Sequence, residues 1–192
     1  AIEGFGNVGT FTALHLENFG AKIVAISDSR GIIYNERGLD IKKLIEVKHK
    51  TGSVINYKPG KVLPNKKLFE LNVNVLIPAA MPDVINEKNV NKVKAKMIVE
   101  AGNIVMKPEI EQKLYKKRIL VVPDFVANAG GVISSYAEYK GYDAKKMFNL
   151  VEQKIKRNTE LVLKTSKAKN IMPRNAALLI AQKRVREAMR KR

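Results

Sequence analysis

The stretch Gly4-Phe5-Gly6-Asn7-Val8-Gly9 decides the fold of this 192-residue chain. It follows a short apolar stub and precedes an amphipathic segment, so its three glycines stand at a strand-to-helix junction. Gly4 allows the tight turn out of the strand, Gly6 lets the backbone approach a pyrophosphate, and Gly9 lets the helix pack against the strand. The amides and the positive dipole end of that helix would then face the phosphates. Only three residues precede Gly4, so the first strand is expected to be cut short.

An acidic residue about 20 positions further on, at the end of a second strand, completes the dinucleotide-binding pattern. Asp28, at the end of the apolar run 22–27, supplies it. Its carboxylate could accept hydrogen bonds from ribose hydroxyls, or Asp28 could be an ordinary turn residue. A ribose role favours NAD, because the carboxylate would repel a 2′-phosphate, whereas Arg30 could hold that phosphate. NAD and NADP both stay open.

Strands and helices alternate through the first two thirds of the chain, which predicts an α/β fold with a doubly wound, mostly parallel sheet. After residue 127 the pattern becomes helical and predicts a C-terminal helical extension. Expected strands cover residues 22–27, 32–34, 73–77, 96–100 and 119–122. Expected helices cover 10–19, 40–50, 68–71, 86–93, 108–117, 128–140, 144–165 and the segment from 173 onward, while 51–64 is expected to be a loop.

The composition excludes several classes of protein. No stretch is long and apolar enough to span a membrane, and no secretory signal is visible. Cysteine is absent, which excludes disulfides and thiolate metal sites and fits a reducing, cytoplasmic setting. The two histidines, His15 and His49, stand alone, so no metal site is expected.

The chain is strongly basic, with 36 Lys+Arg against 18 Asp+Glu and a formal charge of +18. Such an excess can indicate nucleic acid or an anionic membrane as partner. The basic residues are scattered, however, and no nucleic-acid-binding motif accompanies them. Surface charge spread over solvated helices, or an acidic partner domain, is therefore the favoured interpretation.

Small or polar residues follow three more strands, at the edge where ligands bind in open α/β sheets. Ala79, Ala80 and Gly102 would let a cofactor approach the backbone, and Asn103 and Asn128 each offer a donor and an acceptor. No lysine, histidine or arginine at a strand end presents itself as an acid or base. No catalytic residue is therefore predicted within this chain.

Taken in order, several motifs resemble the cofactor-binding domain of glutamate dehydrogenases over essentially the whole chain. The Asn-Ala-Gly-Gly-Val stretch at 128–132 is the most specific of them. The others are the glycine motif at 4–9, Ile-Ser-Asp-Ser at 26–29, Pro-Ala-Ala at 78–80, Pro-Asp at 123–124 and Arg-Asn-Ala-Ala at 174–177.

The resemblance implies oxidative deamination of L-glutamate to 2-oxoglutarate and ammonia, with NAD or NADP as hydride acceptor, by a homohexamer. It implies a Rossmann-like dinucleotide-binding domain over residues 1–140, with C-terminal helices over 141–192 packing back on it. The family's catalytic lysine and aspartate belong to an N-terminal substrate domain that this sequence does not contain.

The resemblance also implies individual roles for residues. Gly6, Asn7 and Val8 would hold the pyrophosphate, and Asp28 would lie at the adenosine ribose with Ser29 beside it. Ala79 and Ala80 would line the adenosine site, Asn103 and Asn128 would lie near the nicotinamide ribose and carboxamide, and Ser135 would reach the distal carboxylate of the substrate.

The sequence departs from the family pattern at 100–107, which reads Glu-Ala-Gly-Asn-Ile-Val-Met-Lys where Glu-Gly-Ala-Asn and a Gly-Pro loop are usual. Leucine, valine and phenylalanine dehydrogenases share this domain plan and remain alternatives. A non-catalytic nucleotide-binding or nucleic-acid-binding module is the alternative from another class.

Overall fold

A computed structural model describes residues 1–190 as a seven-stranded sheet with helices on both of its faces. The strands are β1 (Ile2–Glu3), β2 (Ala25–Asp28), β3 (Gly31–Tyr34), β4 (Lys61–Leu63), β5 (Val75–Pro78), β6 (Met97–Val99) and β7 (Leu120–Val122). The α-helices are α1 (Asn7–Asn18), α2 (Ile41–Thr51), α3 (Pro108–Lys116), α4 (Asp124–Ala127), α5 (Gly130–Tyr139), α6 (Ala144–Lys169) and α7 (Pro173–Met189).

The sheet has the strand order β4-β3-β2-β1-β5-β6-β7. The five strands β2, β1, β5, β6 and β7 pair in parallel, whereas β3 and β4 add antiparallel pairs at one edge. β1 is the central strand of the seven. The chain leaves β1 towards β2 on one side and later returns to place β5 on the other. β1 is thus the topological switch point, where open α/β sheets bind their ligands.

Alternate residues of each strand enter different cores, as the two-residue period of a strand requires. Ile32 and Leu76 join the core under α3, whereas their neighbours Ile33 and Ile77 join the core under α1 and α2. Because both faces are covered, the strands read as continuous apolar runs. The doubly wound, mostly parallel sheet expected from the sequence is confirmed.

The two long C-terminal helices pack against the β7 end of the sheet. Val122 of β7 and Val126 of α4 share a small core with Val162 of α6 and Ala177 of α7. Asp143 caps α6 by accepting a hydrogen bond from the amide of Lys146 at 2.7 Å. No helix within residues 1–190 is long and apolar enough to cross a membrane.

Three local expectations were wrong. Helix α1 begins at Asn7 and so includes Gly9, whereas the sequence suggested a start at Thr10. Residues 61–63, expected to be loop, form β4 by pairing with β3, although Val62 is half exposed and gives no buried alternation to detect. The helix expected over 86–93 is reduced to one 3-10 turn, because the side chain of Asn89 bonds the amide of Asn86 and the carbonyl of Val84 and so competes with helical hydrogen bonds.

Candidate dinucleotide-binding site

The glycine turn has the shape that the sequence predicts. Gly4 has a positive φ of 89°, and a Cβ there would lie 2.5 Å from the Cβ of Ala80. A Cβ on Gly9 would lie 2.0 Å from the carbonyl oxygen of Gly4, so only glycine allows α1 to begin this close to β1. A Cβ on Gly6, by contrast, would meet nothing within 4 Å. Gly6 therefore borders open space, where a ligand can approach the backbone.

The first turn of α1 offers amides to that space. The first helical hydrogen bond runs from the amide of Thr10 to the carbonyl of Gly6, at 2.9 Å, and no side chain caps the helix. The amides of Asn7, Val8 and Gly9 thus precede the hydrogen-bonded ladder. They add to the positive end of the helix dipole, and the first turn carries no acidic side chain that would compete with an anion. A pyrophosphate fits this turn.

A cleft of about 770 Å³ opens in front of the turn, at the carboxyl ends of β1, β2 and β5. Of the residues singled out in the sequence, it is lined by Gly4, Gly6, Asp28, Ser29 and Ala80. Its position at the topological switch point and its size suit a nucleotide.

Asp28 is at once a cleft residue and the first residue of a tight turn. Its carboxylate accepts hydrogen bonds from the amides of Arg30 and Val54, at 2.9 and 2.8 Å, and from the hydroxyl of Ser53. Burial works to raise its pKa, but these hydrogen bonds and the charge of Lys48 lower it overall. Asp28 is therefore a preorganised anion, and its turn role and a ribose role are compatible.

Two charged cleft residues that were not predicted from the sequence contact the glycine turn or join the strand ends beside it. The ammonium group of Lys48 donates to the carbonyl of Phe5 at 2.6 Å, which places a cation beside the glycine turn. Glu3 accepts hydrogen bonds from the amides of Ala79 and Ala80, at 3.1 and 3.0 Å, and so joins the ends of β1 and β5. Glu3 directly precedes the glycine motif, which was a usable signal. Lys48 is one of many lysines, and nothing in its spacing distinguishes it.

The two asparagines meet at a second place, beyond the ends of β6 and β7. The side-chain amide of Asn128 donates to the side-chain oxygen of Asn103 at 2.6 Å. Ser135 lies apart from both groups on α5, where it is exposed and its hydroxyl donates to the carbonyl of Gly131 at 3.2 Å. The structure thus pairs Asn103 with Asn128 but does not bring Ser135 to either of them.

A buried ion cluster lies behind the asparagines. Arg174 of α7 donates to Glu100 at 2.7 Å and to Asp124 at 3.2 Å, and its Nε donates to Glu111 of α3. Burial raises the pKa of Glu100 to about 7 against the opposing charge of Arg174, and burial also raises the pKa of Glu111. Burial would raise the pKa of Asp124 too, but hydrogen bonds from the amides of Ile104 and Phe125 lower it overall. In the sequence, Arg174 was noticeable only as part of the Arg-Asn-Ala-Ala motif at 174–177.

Comparison with known proteins agrees with this geometry. The chain is 41% identical over its whole length to the glutamate dehydrogenase of Thermotoga maritima, of which it covers 48%. It is 46% identical over 138 residues, 72% of this chain, to the NADP-specific glutamate dehydrogenase of Saccharolobus shibatae, of which it covers 33%. It is 39% identical over its whole length to the NAD-specific glutamate dehydrogenase of Staphylococcus aureus, of which it covers 47%.

Among solved structures, the hetero-hexameric glutamate dehydrogenase of Thermus thermophilus in its Leu-bound form matches 98% of this chain and 46% of its own, with a TM-score of 0.85 and 29% identity. The chain thus spans about half the length of the relatives that it matches. The model of the glutamate/leucine/phenylalanine/valine dehydrogenase family matches residues 1–192. The chain therefore belongs to the glutamate/leucine/phenylalanine/valine dehydrogenase family.

Proposed function

We propose that this chain is the cofactor-binding part of an NAD(P)-dependent glutamate dehydrogenase, which deaminates L-glutamate to 2-oxoglutarate and ammonia. The observation that carries the proposal is the glycine turn at the switch point, where Gly6 borders open space and three amides of α1 lie unbonded. The names of the Thermotoga, Saccharolobus and Staphylococcus relatives support glutamate as the substrate.

The proposed cofactor contacts run from the cleft to the asparagine pair. Gly4, Gly6 and Gly9 shape the turn, and the amides of Asn7 and Val8 bind the pyrophosphate. Asp28 and Ser29 lie at the adenosine ribose, and Ala79 and Ala80 line the adenosine site. Asn103 and Asn128 hold the nicotinamide half, and Ser135 reaches the distal carboxylate of the substrate.

When bound, the nicotinamide ring would accept a hydride from the substrate carbon that carries the amino group. The residues of this chain would bind and orient the cofactor, and none of them is assigned a catalytic role. We further propose that residues 1–140 form the dinucleotide-binding domain, with the helices of 141–192 as its extension. We also propose a homo-oligomer. The Thermus thermophilus protein, described as hetero-hexameric, supports assembly into an oligomer, and the identity of the subunits is the further part of this proposal.

Titration with NADH and with NADPH, followed by nicotinamide fluorescence, tests cofactor binding by the chain. Saturable binding of either cofactor is expected, and no binding at about millimolar cofactor, a weak-affinity limit, would overturn the proposal. The substrate class is tested in a polypeptide that spans the whole length of these relatives. Its rate of NAD(P) reduction with glutamate should exceed the rates with leucine, valine and phenylalanine. The opposite order would favour one of those dehydrogenases.

A further inference from the structure

The ion cluster of Arg174, Glu100, Glu111 and Asp124 connects α7 to the strand ends that carry Asn103 and Asn128. Glu100 follows β6 and comes three residues before Asn103, and it accepts hydrogen bonds from Arg174 and from the amide of Asp124, the latter at 2.9 Å. Helix α4 begins at Asp124, and Asn128 is the residue that caps its C-terminal end. The cluster therefore ties together the two segments on which the asparagines stand.

A second hydrogen bond fixes the loop after Asn103. The amide of Ile104 donates to Asp124 at 3.0 Å, while the other oxygen of that carboxylate accepts from Arg174. Ile104 has a positive φ of 51°, which is unfavourable for a β-branched residue, and its side chain is 65% exposed. Burial of its own side chain therefore does not hold this strained residue in place. The carboxylate of Asp124 holds its amide, and its carbonyl accepts a hydrogen bond from the amide of Asp83 at 2.9 Å.

Stability alone is a poor reason for this cluster to exist. The Arg174 side chain is 19% exposed, that of Glu100 is 0% and that of Glu111 is 2%, so the desolvation of these charges is costly. One oxygen of Glu100 and one of Glu111 have no hydrogen-bond partner among residues 1–190. Buried ion networks of this kind are often no more stabilising than an apolar replacement, but their directional bonds do fix geometry.

The guanidinium group suits that geometric task. Its three nitrogens each face a different carboxylate, from α3, from the end of β6 and from the start of α4. A lysine at this position would keep the charge, but its single nitrogen could not bridge three separate groups in a plane.

We propose that Arg174 is a positioning residue: by holding Glu100 and Asp124 together, it sets the geometry of the Asn103–Asn128 pair and thereby the affinity for the nicotinamide half of the cofactor. The inference rests on the proposed function, since it takes the asparagine pair as the nicotinamide site. Arg174 itself touches neither cofactor nor substrate.

The test compares NADH with ADP, which lacks both the nicotinamide ring and its ribose, as ligands of the whole chain. Arg174→Lys should weaken NADH binding about tenfold, because a displaced asparagine would lose about one hydrogen bond to the nicotinamide half, worth about 1.4 kcal/mol. It should leave the ADP dissociation constant unchanged. Arg184→Lys is the matched control on the same helix, where the arginine bonds only Asn158 among the described residues, and it should alter neither constant.

A double mutant separates positioning from general destabilisation. In an Asn128→Ala background, Arg174→Lys should weaken NADH binding little further, because the side chain whose place it sets is gone. If Arg174→Lys fails to fold by circular dichroism, Asp124→Asn replaces it with the same expected selectivity for NADH.

The two proposals fail in different ways. Equal weakening of both ligands, or an unchanged NADH constant, would overturn the positioning role while leaving cofactor binding intact. A wild-type chain that binds neither ligand would overturn the proposed function and this inference together.

Discussion

Replacement of Gly6 by alanine should remove cofactor binding without removing the fold. Gly6 is the N-cap of α1 and has a negative φ of −86°, and a Cβ there would meet nothing within 4 Å. The methyl group would therefore occupy the space in front of the amides of Asn7 and Val8, where the pyrophosphate is proposed to bind. The fold itself would experience no collision.

The two magnitudes follow from the same geometry. Alanine is a poorer N-cap than glycine by about 0.5 kcal/mol, and the lower entropy of the unfolded chain returns about the same amount. The free energy of unfolding should thus change by less than about 0.5 kcal/mol. Loss of one charge-assisted hydrogen bond to phosphate costs about 1.5–3 kcal/mol, so the NADH dissociation constant should rise about ten- to a hundredfold.

Urea denaturation and NADH titration on the same preparations measure both quantities, with two glycine controls. Gly20→Ala, at the far end of α1 where φ is 80°, should cost about 1 kcal/mol of stability and leave NADH binding unchanged. Gly9→Ala should destabilise the fold by at least about 2 kcal/mol through overpacking, because its Cβ would lie 2.0 Å from the Gly4 oxygen. A Gly6→Ala protein that binds NADH as tightly as the wild type would refute the reasoning.

Three further predictions concern carboxylates. Asp28→Asn should lower the free energy of unfolding by about 1–2 kcal/mol, because it weakens the hydrogen bonds that Asp28 accepts from Ser53 and Val54. It should also weaken NADH binding more than NADPH binding, since the charge that repels a 2′-phosphate is gone. An unchanged ratio of the NADH and NADPH dissociation constants in paired titrations would leave Asp28 a turn residue alone. Burial raises the pKa of Glu100 from 4.5 to about 7. The protonated side chain therefore contributes up to about 3 kcal/mol to the free energy of unfolding. This contribution is fully present below about pH 4.5 and is lost as the pH rises through about 7. Glu100→Gln should flatten that part of the stability-versus-pH curve measured by urea denaturation, and an unaltered curve would contradict the buried-acid assignment. Asp40→Ala should lower the free energy of unfolding by about 1 kcal/mol, because Asp40 caps α2 by accepting a hydrogen bond from the amide of Lys43 at 3.0 Å. Thermal unfolding measures this loss, and an unchanged unfolding temperature would contradict the capping role.

The parts of the fold that were predictable from the sequence depend on short-range rules. The strand-to-helix turn follows from the spacing of Gly4, Gly6 and Gly9, since each glycine is needed for a steric reason within the turn itself. The parallel core strands follow from apolar runs, and α2 and α6 each begin directly after an aspartate, Asp40 and Asp143, that caps the helix. Each of these signals lies within a few residues of the feature that it specifies.

The parts that were missed depend on contacts distant in sequence. β4 exists because residues 61–63 pair with β3, about 30 residues earlier, and its half-exposed Val62 leaves no pattern to detect. Lys48 reaches the glycine turn from α2, 43 residues away from Phe5. Arg174 meets Glu100 across 74 residues, and a lone arginine in a basic helix gives no sign of three carboxylate partners.

The geometry of the two ends of the proposed site therefore depends on different kinds of interaction. The pyrophosphate end is formed by backbone atoms within one turn, where glycine sterics alone determine the shape. The asparagine end is formed by side chains on two segments. If Arg174 positions them as proposed, its geometry depends on α7, which the proposed domain division places outside the dinucleotide-binding unit. Among the described residues, Arg174 is the counter-charge that the three buried or largely buried carboxylates share, so its removal from the C-terminal helix would leave them uncompensated at the sheet end. On this proposal the helical extension is part of the architecture of the proposed site, although none of its residues is proposed to touch the cofactor.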